Sequence, residues 1–167
     1  MKINLQKSIT KKHLIYELNL KVVFDKITNL IQWLLLPFCL FLLFDNKNFT
    51  FETLTQFFVL VFLTLFSIWS LIGYFFVNKL TYIGEFTEEN RLELIKIIKK
   101  DFNLVESYSD NNVIVLKNEK DFWKKRLTIL VENGEVWMNL KSYGNFDIES
   151  PFHSFSNLIK LKRYKKF

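Results

Sequence analysis

The residue types that most often carry catalysis or metal binding are scarce in this 167-residue chain. The two histidines, His13 and His153, are far apart in sequence, and neither has the spacing to other ligands that zinc sites use. Cys39 is the one cysteine, which excludes an intrachain disulfide. The sequence has four glycines and no G-x-S-x-G, H-E-x-x-H or glycine-rich phosphate loop. We therefore predict no catalytic residue, no cofactor and no metal site, which argues against an enzyme.

One short segment, Ser150–Asn157, has residue types that suit a binding surface. Phe152, His153 and Phe155 lie between predicted elements, where binding residues concentrate. They form our candidate partner-binding loop. The alternative is that the two phenylalanines plug the end of a sheet and the histidine is merely exposed.

The C-terminal end is strongly basic. Its cations are Lys160, Lys162, Arg163, Lys165 and Lys166, interleaved with apolar residues and with no acidic residue. Such a cluster binds nucleic acid, or anionic lipid at about 1 kcal/mol per basic residue. A position beside a membrane favours anionic lipid as the partner of this tail and argues against nucleic acid. A tail that only adds solubility fits equally well.

Two uncharged apolar runs dominate the first half of the chain. Phe57–Val77 would form a helix of about 21 residues and roughly 31 Å, the hydrocarbon thickness of a bilayer. Ile27–Phe44 would form a second helix of about 18 residues, kinked at Pro37, and residues 45–56 would connect the two. The pattern predicts a two-helix transmembrane hairpin over residues 27–78, with the lipid bilayer as a partner.

Charge sets the predicted orientation of this hairpin. Residues 1–26 carry six lysines against two carboxylates, whereas residues 45–56 carry one lysine against two. Residues 79–167 have 16 basic and 13 acidic side chains. The positive-inside rule then places both termini in the cytoplasm. The absence of alanine is typical of an AT-rich bacterial genome, so we predict a two-pass protein of the bacterial inner membrane.

Residues 79–167 predict a cytosolic α+β domain. Thr87 is a good N-cap for an amphipathic helix over Glu88–Phe102. Strand patterns follow, and Asn133-Gly134 is a strong hairpin signal. Two-residue loop geometry pairs the strands Lys124–Glu132 and Glu135–Tyr143, with Ile129 facing Met138. The fold class is thus a membrane protein with a two-helix hairpin and a small domain: one helix on a roughly four-stranded antiparallel meander, and a short C-terminal helix.

The basic N-terminal segment, residues 1–26, allows two interpretations. Alternation of apolar and polar residues over 16–22 favours a strand, whereas Thr10 as an N-cap favours a helix that continues into the first apolar run. We prefer the helix, because no glycine or proline interrupts the stretch.

These features favour a membrane-anchored, non-enzymatic protein-binding or regulatory module. It would contact a protein partner through an exposed sheet face or the 150–157 loop, and one version is a bacterial toxin-immunity protein. The alternative is a structural subunit of a larger membrane complex. A membrane-bound enzyme with an unrecognised site ranks third.

Overall fold

The structure is a computed structural model that describes residues 2–17, 23, 27, 54–118, 120, 123–144 and 149–166. The described elements are, in order, α1 (Leu5–Lys11), α2 (Leu54–Phe76), β1 (Thr81–Glu85), α3 (Glu88–Asp101), β2 (Val105–Ser109), β3 (Val113–Asn118), β4 (Lys124–Glu132), β5 (Glu135–Tyr143), a 3-10 helix (Pro151–His153), α4 (Ser154–Lys162) and a last 3-10 helix (Arg163–Lys166). The strands form one antiparallel sheet in the order β1-β5-β4-β3-β2. The domain is α+β.

The β4–β5 hairpin confirms the predicted register. Ile129 pairs with Met138, and the two-residue loop has positive φ at both Asn133 (52°) and Gly134 (84°). Both central residues of a type I′ turn need positive φ, which Asn and Gly adopt at low cost. The hairpin thereby places alternate side chains of β4 and β5 on opposite faces of the sheet.

One face of the sheet holds the main core. The N-cap of α3 is Thr87, whose hydroxyl accepts a hydrogen bond from the backbone N–H of Asn90 at 3.5 Å, as the sequence predicts. The apolar stripe of α3 and residues of α4 cover this face. Core residues from these layers include Leu94, Ile98, Leu127, Met138 and Leu161.

The sheet has five strands, so the predicted roughly four-stranded meander is one strand short. The additional strand, β1, pairs with β5, and Tyr82 is opposite Trp137. β1 is only five residues long and has a register shift between Tyr82 and Gly84. A strand this short has little periodic pattern of its own. Its pairing partner lies about fifty residues downstream, so no local turn signal marks it either.

The N-terminal segment covers part of the second sheet face. Leu14 is buried against Leu130 and Trp137. The backbone N–H of Leu80 donates to the carbonyl oxygen of Lys12 at 2.9 Å, which ties the segment to the chain just before β1. The sheet face that we expected to be open to a partner is therefore partly occupied by the chain itself.

Helix α1 begins earlier than predicted. Asn4 is its N-cap and accepts a hydrogen bond from the backbone N–H of Lys7 at 3.1 Å, whereas Thr10 lies inside the helix and donates to the Gln6 carbonyl. Lys12 then ends the helix in the left-handed conformation. The prediction of a helix that begins after Thr10 is wrong, because the helix ends where that prediction started it. Residues 18–22 lie outside the described residues.

The membrane prediction is corrected by the structure. Within the described ranges, no helix has both the length and the apolar character that a bilayer crossing requires. The two-helix transmembrane hairpin and the two-pass inner-membrane location are therefore wrong as predicted. The first predicted span, Ile27–Phe44, lies outside the described residues apart from Ile27, as do residues 45–53 of the connection.

Helix α2 packs one side against the segment that begins at Pro151. The ring of Phe66 stacks on Phe152 with centroids 4.4 Å apart, and Gly73 contacts the carbonyl oxygen of Pro151. Elsewhere α2 carries exposed apolar side chains, among them Phe62 and Phe75. The prediction relied on length and absence of charge, and packing against the rest of the same chain also selects for an uncharged helix.

Candidate functional site

The predicted loop residues lie in helices that pack on α2. Phe152 belongs to the 3-10 helix and Phe155 to the first turn of α4. Phe155 makes edge contacts with Trp69 (centroids 6.2 Å apart) and Phe76 (6.0 Å), yet it remains 47% exposed. Pro151 favours this arrangement, because its fixed φ suits the first position of a helix. The phenylalanines therefore contact a helix rather than plug the end of the sheet.

His153 is held by neighbours in the same region. Its Nδ1 lies 2.9 Å from the hydroxyl of Ser150, and its ring lies 4.6 Å from the indole of Trp123. Burial, and then the positive charges of Lys160 and Lys125, hold the pKa of His153 below its ordinary value. The imidazole is therefore neutral at pH 7. Its role in partner binding stays a prediction.

The basic C-terminal end is folded onto the domain. Leu161 is fully buried, and the hydroxyl of Tyr164 donates to Asp101 Oδ2 at 2.7 Å. Burial and this hydrogen bond raise the pKa of Tyr164, so its phenol stays protonated. The predicted cations have different places: Lys162, Arg163 and Lys165 are exposed, Lys160 is half-buried, and Lys166 belongs to the last 3-10 helix. Their contact with anionic lipid stays a prediction.

Four lysines surround an open groove of about 580 Å³, which we call the lysine groove. Two of them, Lys12 and Lys79, come from the N-terminal segment and the chain before β1, and two, Lys162 and Lys165, come from the C-terminal end. The described residues that line it are Lys12, Phe76, Lys79, Leu80, Thr81, Tyr82, Glu135, Trp137, Phe155, Leu158, Ile159, Lys162 and Lys165.

Backbone hydrogen bonds position the first wall of the groove. The N–H of Leu14 donates to the carbonyl of Asn78 at 2.7 Å, and His13 forms a bridge with Lys79. Lys12, at the left-handed end of α1, and Lys79 are thereby held on adjacent pieces of backbone. The Nδ2 of Asn139 donates to the carbonyl of Lys79 at 2.9 Å and links this wall to β5.

Aromatic and aliphatic side chains form the floor. The rings of Tyr82 and Trp137 lie 4.9 Å apart, and the indole N–H donates to Glu135 Oε2 at 3.0 Å. Burial, followed by the negative charges of Glu85 and Glu135, raises the pKa of Tyr82, so the phenol remains a donor. Phe155 and Ile159, 47% and 50% exposed, supply accessible apolar surface.

The lysines give the groove a positive field. Glu135 is the one carboxylate among the described lining residues, which include four lysines. Among the described residues, none of these four lysines has an ion-pair partner. Lys79 Nζ lies 5.1 Å from the centroid of the Phe76 ring, a cation–π contact that leaves its charge uncompensated. The groove thus attracts anions and offers apolar contact beneath them.

Two other charged clusters in the described chain contain ion pairs. Lys141 is 2% exposed and lies 2.7 Å from Glu149 Oε1, which also accepts from the Tyr143 hydroxyl. A second cleft, between the start of α3 and the β2–β3 turn, contains Arg91 beside Glu88 at 3.6 Å. Each of these clusters has at least one carboxylate for its paired cation, whereas the described lining of the lysine groove has four lysines and one carboxylate.

The lining of the groove is poor in catalytic groups. Its described residues include one carboxylate, one aliphatic hydroxyl and no histidine or cysteine. A general acid and base pair would need two groups of suitable pKa within reach of one substrate. Over the described residues, no three His, Cys, Asp or Glu side chains converge as metal ligands do. The described lining offers positive charge and apolar contact.

The groove unites residues that the sequence singled out with residues that it did not. Phe155, Lys162 and Lys165 come from the predicted loop and tail. Lys12 and Trp137 were missed, since their proximity depends on the β1–β5 pairing and on the bridge at Lys79. The only sequence signal at Lys12 was its place in the basic N-terminal segment.

Comparison with protein-family models, with curated proteins and with solved structures gave no match for this chain. The function is therefore argued from the groove itself.

Proposed function

We propose that the chain is a non-enzymatic protein-binding module and that the lysine groove is its binding surface. The observation that carries this proposal is the combination of an apolar floor with four lysines that have no ion-pair partner among the described residues. Protein interfaces pair a partly apolar centre with a polar, charged rim, and the groove has that composition on one molecule. The lysines would speed encounter with an acidic partner, and the floor would hold it.

A toxin-immunity role is one form of this binding function. The partner would then be a toxin, and co-expression of the chain would protect the cell. Reversing the charge of Lys12 and Lys162 should abolish protection if the groove carries the contact. Undiminished protection by that variant would separate the immunity role from the groove.

Photo-crosslinking in producing cells tests the proposed function. p-Benzoylphenylalanine replaces Ile159, which lines the groove and is 50% exposed, and in a control it replaces Leu92, which is 60% exposed on α3. We expect one defined protein to crosslink at position 159 and not at 92. Its crosslinking should fall when Lys12 and Lys162 are changed to Glu. The same set of proteins at both positions, or none at 159, would refute the proposal.

A further inference from the structure

We infer that the ligand of the lysine groove is an acidic protein segment that carries an aromatic or large aliphatic side chain among its carboxylates. The inference rests on the proposed function and specifies the chemistry of the partner. It follows from three observations: the placement of the lysines, the exposure of the floor, and the backbone conformation of Lys12.

The lysines come from separate elements around a continuous apolar surface. Lys162 and Lys165 are three residues apart at the junction of α4 and the last 3-10 helix, a spacing that places side chains on one side. Lys12 and Lys79 stand on the wall built by the N-terminal segment. A ligand with carboxylates on both sides of an apolar group would satisfy these ammonium groups and cover Phe155 and Ile159 together.

Lys12 has a backbone conformation that its side chain does not favour. Its φ is 53°, at the helix end where glycine is the usual residue. The other described non-glycine residues with positive φ are Asn103 and Asn133, and asparagine tolerates this region. Among the described residues, Lys12 hydrogen-bonds only through its backbone: its N–H donates to the Ile9 carbonyl, and its own carbonyl accepts from the N–H of Leu80. A lysine at this strained position is explained by a role for its ammonium group in the groove.

The floor favours a peptide over a nucleic acid strand. Single-stranded nucleic acids bind by stacking successive bases on exposed aromatic faces. Trp137 is only 8% exposed, and Tyr82 and Phe76 are half-buried, so Phe155 alone offers a largely accessible ring. Leu158 and Ile159 complete the surface with aliphatic groups. A buried apolar side chain of a protein ligand suits this floor better than a series of bases.

Fluorescence anisotropy with the full chain tests the inference. The probe is a labelled twelve-residue peptide of Asp and Glu with one central Phe. The comparison ligands are the same peptide with Ser in place of Phe, and a labelled twelve-nucleotide oligothymidine. We expect the Phe peptide to bind more tightly than both. Its affinity should fall as salt is raised, because the contacts are charged and exposed.

Lys12→Gly separates a binding role from a structural one. Glycine relieves the strain of the left-handed backbone conformation, so the variant should have a Tm about 2–4 °C higher than the wild type. Its affinity for the Phe peptide should be about 2- to 5-fold lower, because one ammonium group is lost. Lys96→Ala, at an exposed lysine of α3 outside the groove, should leave peptide affinity unchanged. Lys12→Gly combined with Lys162→Ser should weaken binding about 10-fold, since distant effects add.

Three results would overturn the inference. Oligothymidine binding as tight as that of the Phe peptide, and equally sensitive to Lys12→Gly, would make nucleic acid the ligand. If the Phe and Ser peptides bound with equal affinity, or if Lys96→Ala weakened peptide binding as much as Lys12→Gly, the peptide would be held by nonspecific charge attraction alone. No binding of any probe, together with a partner crosslinked at Ile159, would refute the acidic-aromatic chemistry and leave the proposed function standing.

Discussion

The buried ion pair between Lys141 and Glu149 supplies the sharpest test of the fold. Burial alone would lower the pKa of Lys141, but Glu149 and the nearby Tyr16 and Tyr143 raise it above its ordinary value, so the ammonium is charged in the folded chain. Glu149→Gln removes the compensating charge and keeps the shape of the side chain. The variant therefore leaves an ammonium with 2% exposure next to a neutral amide.

The expected cost follows from the geometry. At 2.7 Å and an effective dielectric constant near 20, the attraction between the charges is about 6 kcal/mol before any loss of hydration is counted. Breaking a buried pair by removing one partner destabilises by about 3–5 kcal/mol. Because Glu149 is 23% exposed and partly screened, we expect a loss at the lower end of this range, about 3 kcal/mol of unfolding free energy.

Urea unfolding at pH 7, followed by tryptophan fluorescence, measures this cost. In the Lys141→Met background, Glu149→Gln should hardly change the free energy of unfolding, because no buried ammonium remains. Lys99 and Glu106 form the matched control: their N–O distance is also 2.7 Å, but their side chains are 33% and 44% exposed. Glu106→Gln should therefore cost several-fold less than Glu149→Gln.

Two outcomes would refute this reasoning. If Glu149→Gln cost the same in the wild-type and Lys141→Met backgrounds, its effect would not come from the ion pair. If Glu106→Gln were as costly as Glu149→Gln, burial would not be the deciding variable, since the two pairs share one distance.

Three further predictions concern the parts that position the groove and the 151–155 segment. Gly73→Leu should lower the free energy of unfolding by about 1–3 kcal/mol, because a side chain there meets the backbone of Pro151; an unchanged urea midpoint would contradict that packing. Asn139→Leu removes one buried and one partly buried hydrogen bond to carbonyls before β1 and should cost about 2 kcal/mol by the same assay, with faster hydrogen exchange at the start of β1. The depressed pKa of His153 gives stability that is present above pH 6.5 and is lost as the pH falls through the folded-state pKa. The His153→Gln variant should therefore lose less stability than the wild type between pH 7.5 and 5.5. Parallel plots of unfolding free energy against pH for the two proteins would contradict this prediction.

Local sequence was sufficient for the elements that close on themselves. The β4–β5 register follows from Asn133-Gly134 because a two-residue loop leaves one pairing that keeps Ile129 and Met138 on the same face. The helix Glu88–Asp101 follows from Thr87 and a repeat of apolar residues, since capping and periodicity act over a few residues. The sequence alone also singled out Phe155, Lys162 and Lys165.

Only the tertiary structure decided how these pieces meet. The strand β1 depends on pairing with β5, which is distant in sequence. The first wall of the groove depends on the hydrogen bond from the backbone N–H of Leu80 to the carbonyl of Lys12. Apolar composition did not distinguish a membrane span from α2, because an uncharged helix can also pack one side on its own chain while other apolar side chains, such as Phe62 and Phe75, stay exposed. The sequence by itself determined the β4–β5 hairpin, the amphipathic helix α3 and the excess of basic charge. Long-range pairing decided which lysines share one groove, because their proximity comes from contacts that no local pattern encodes.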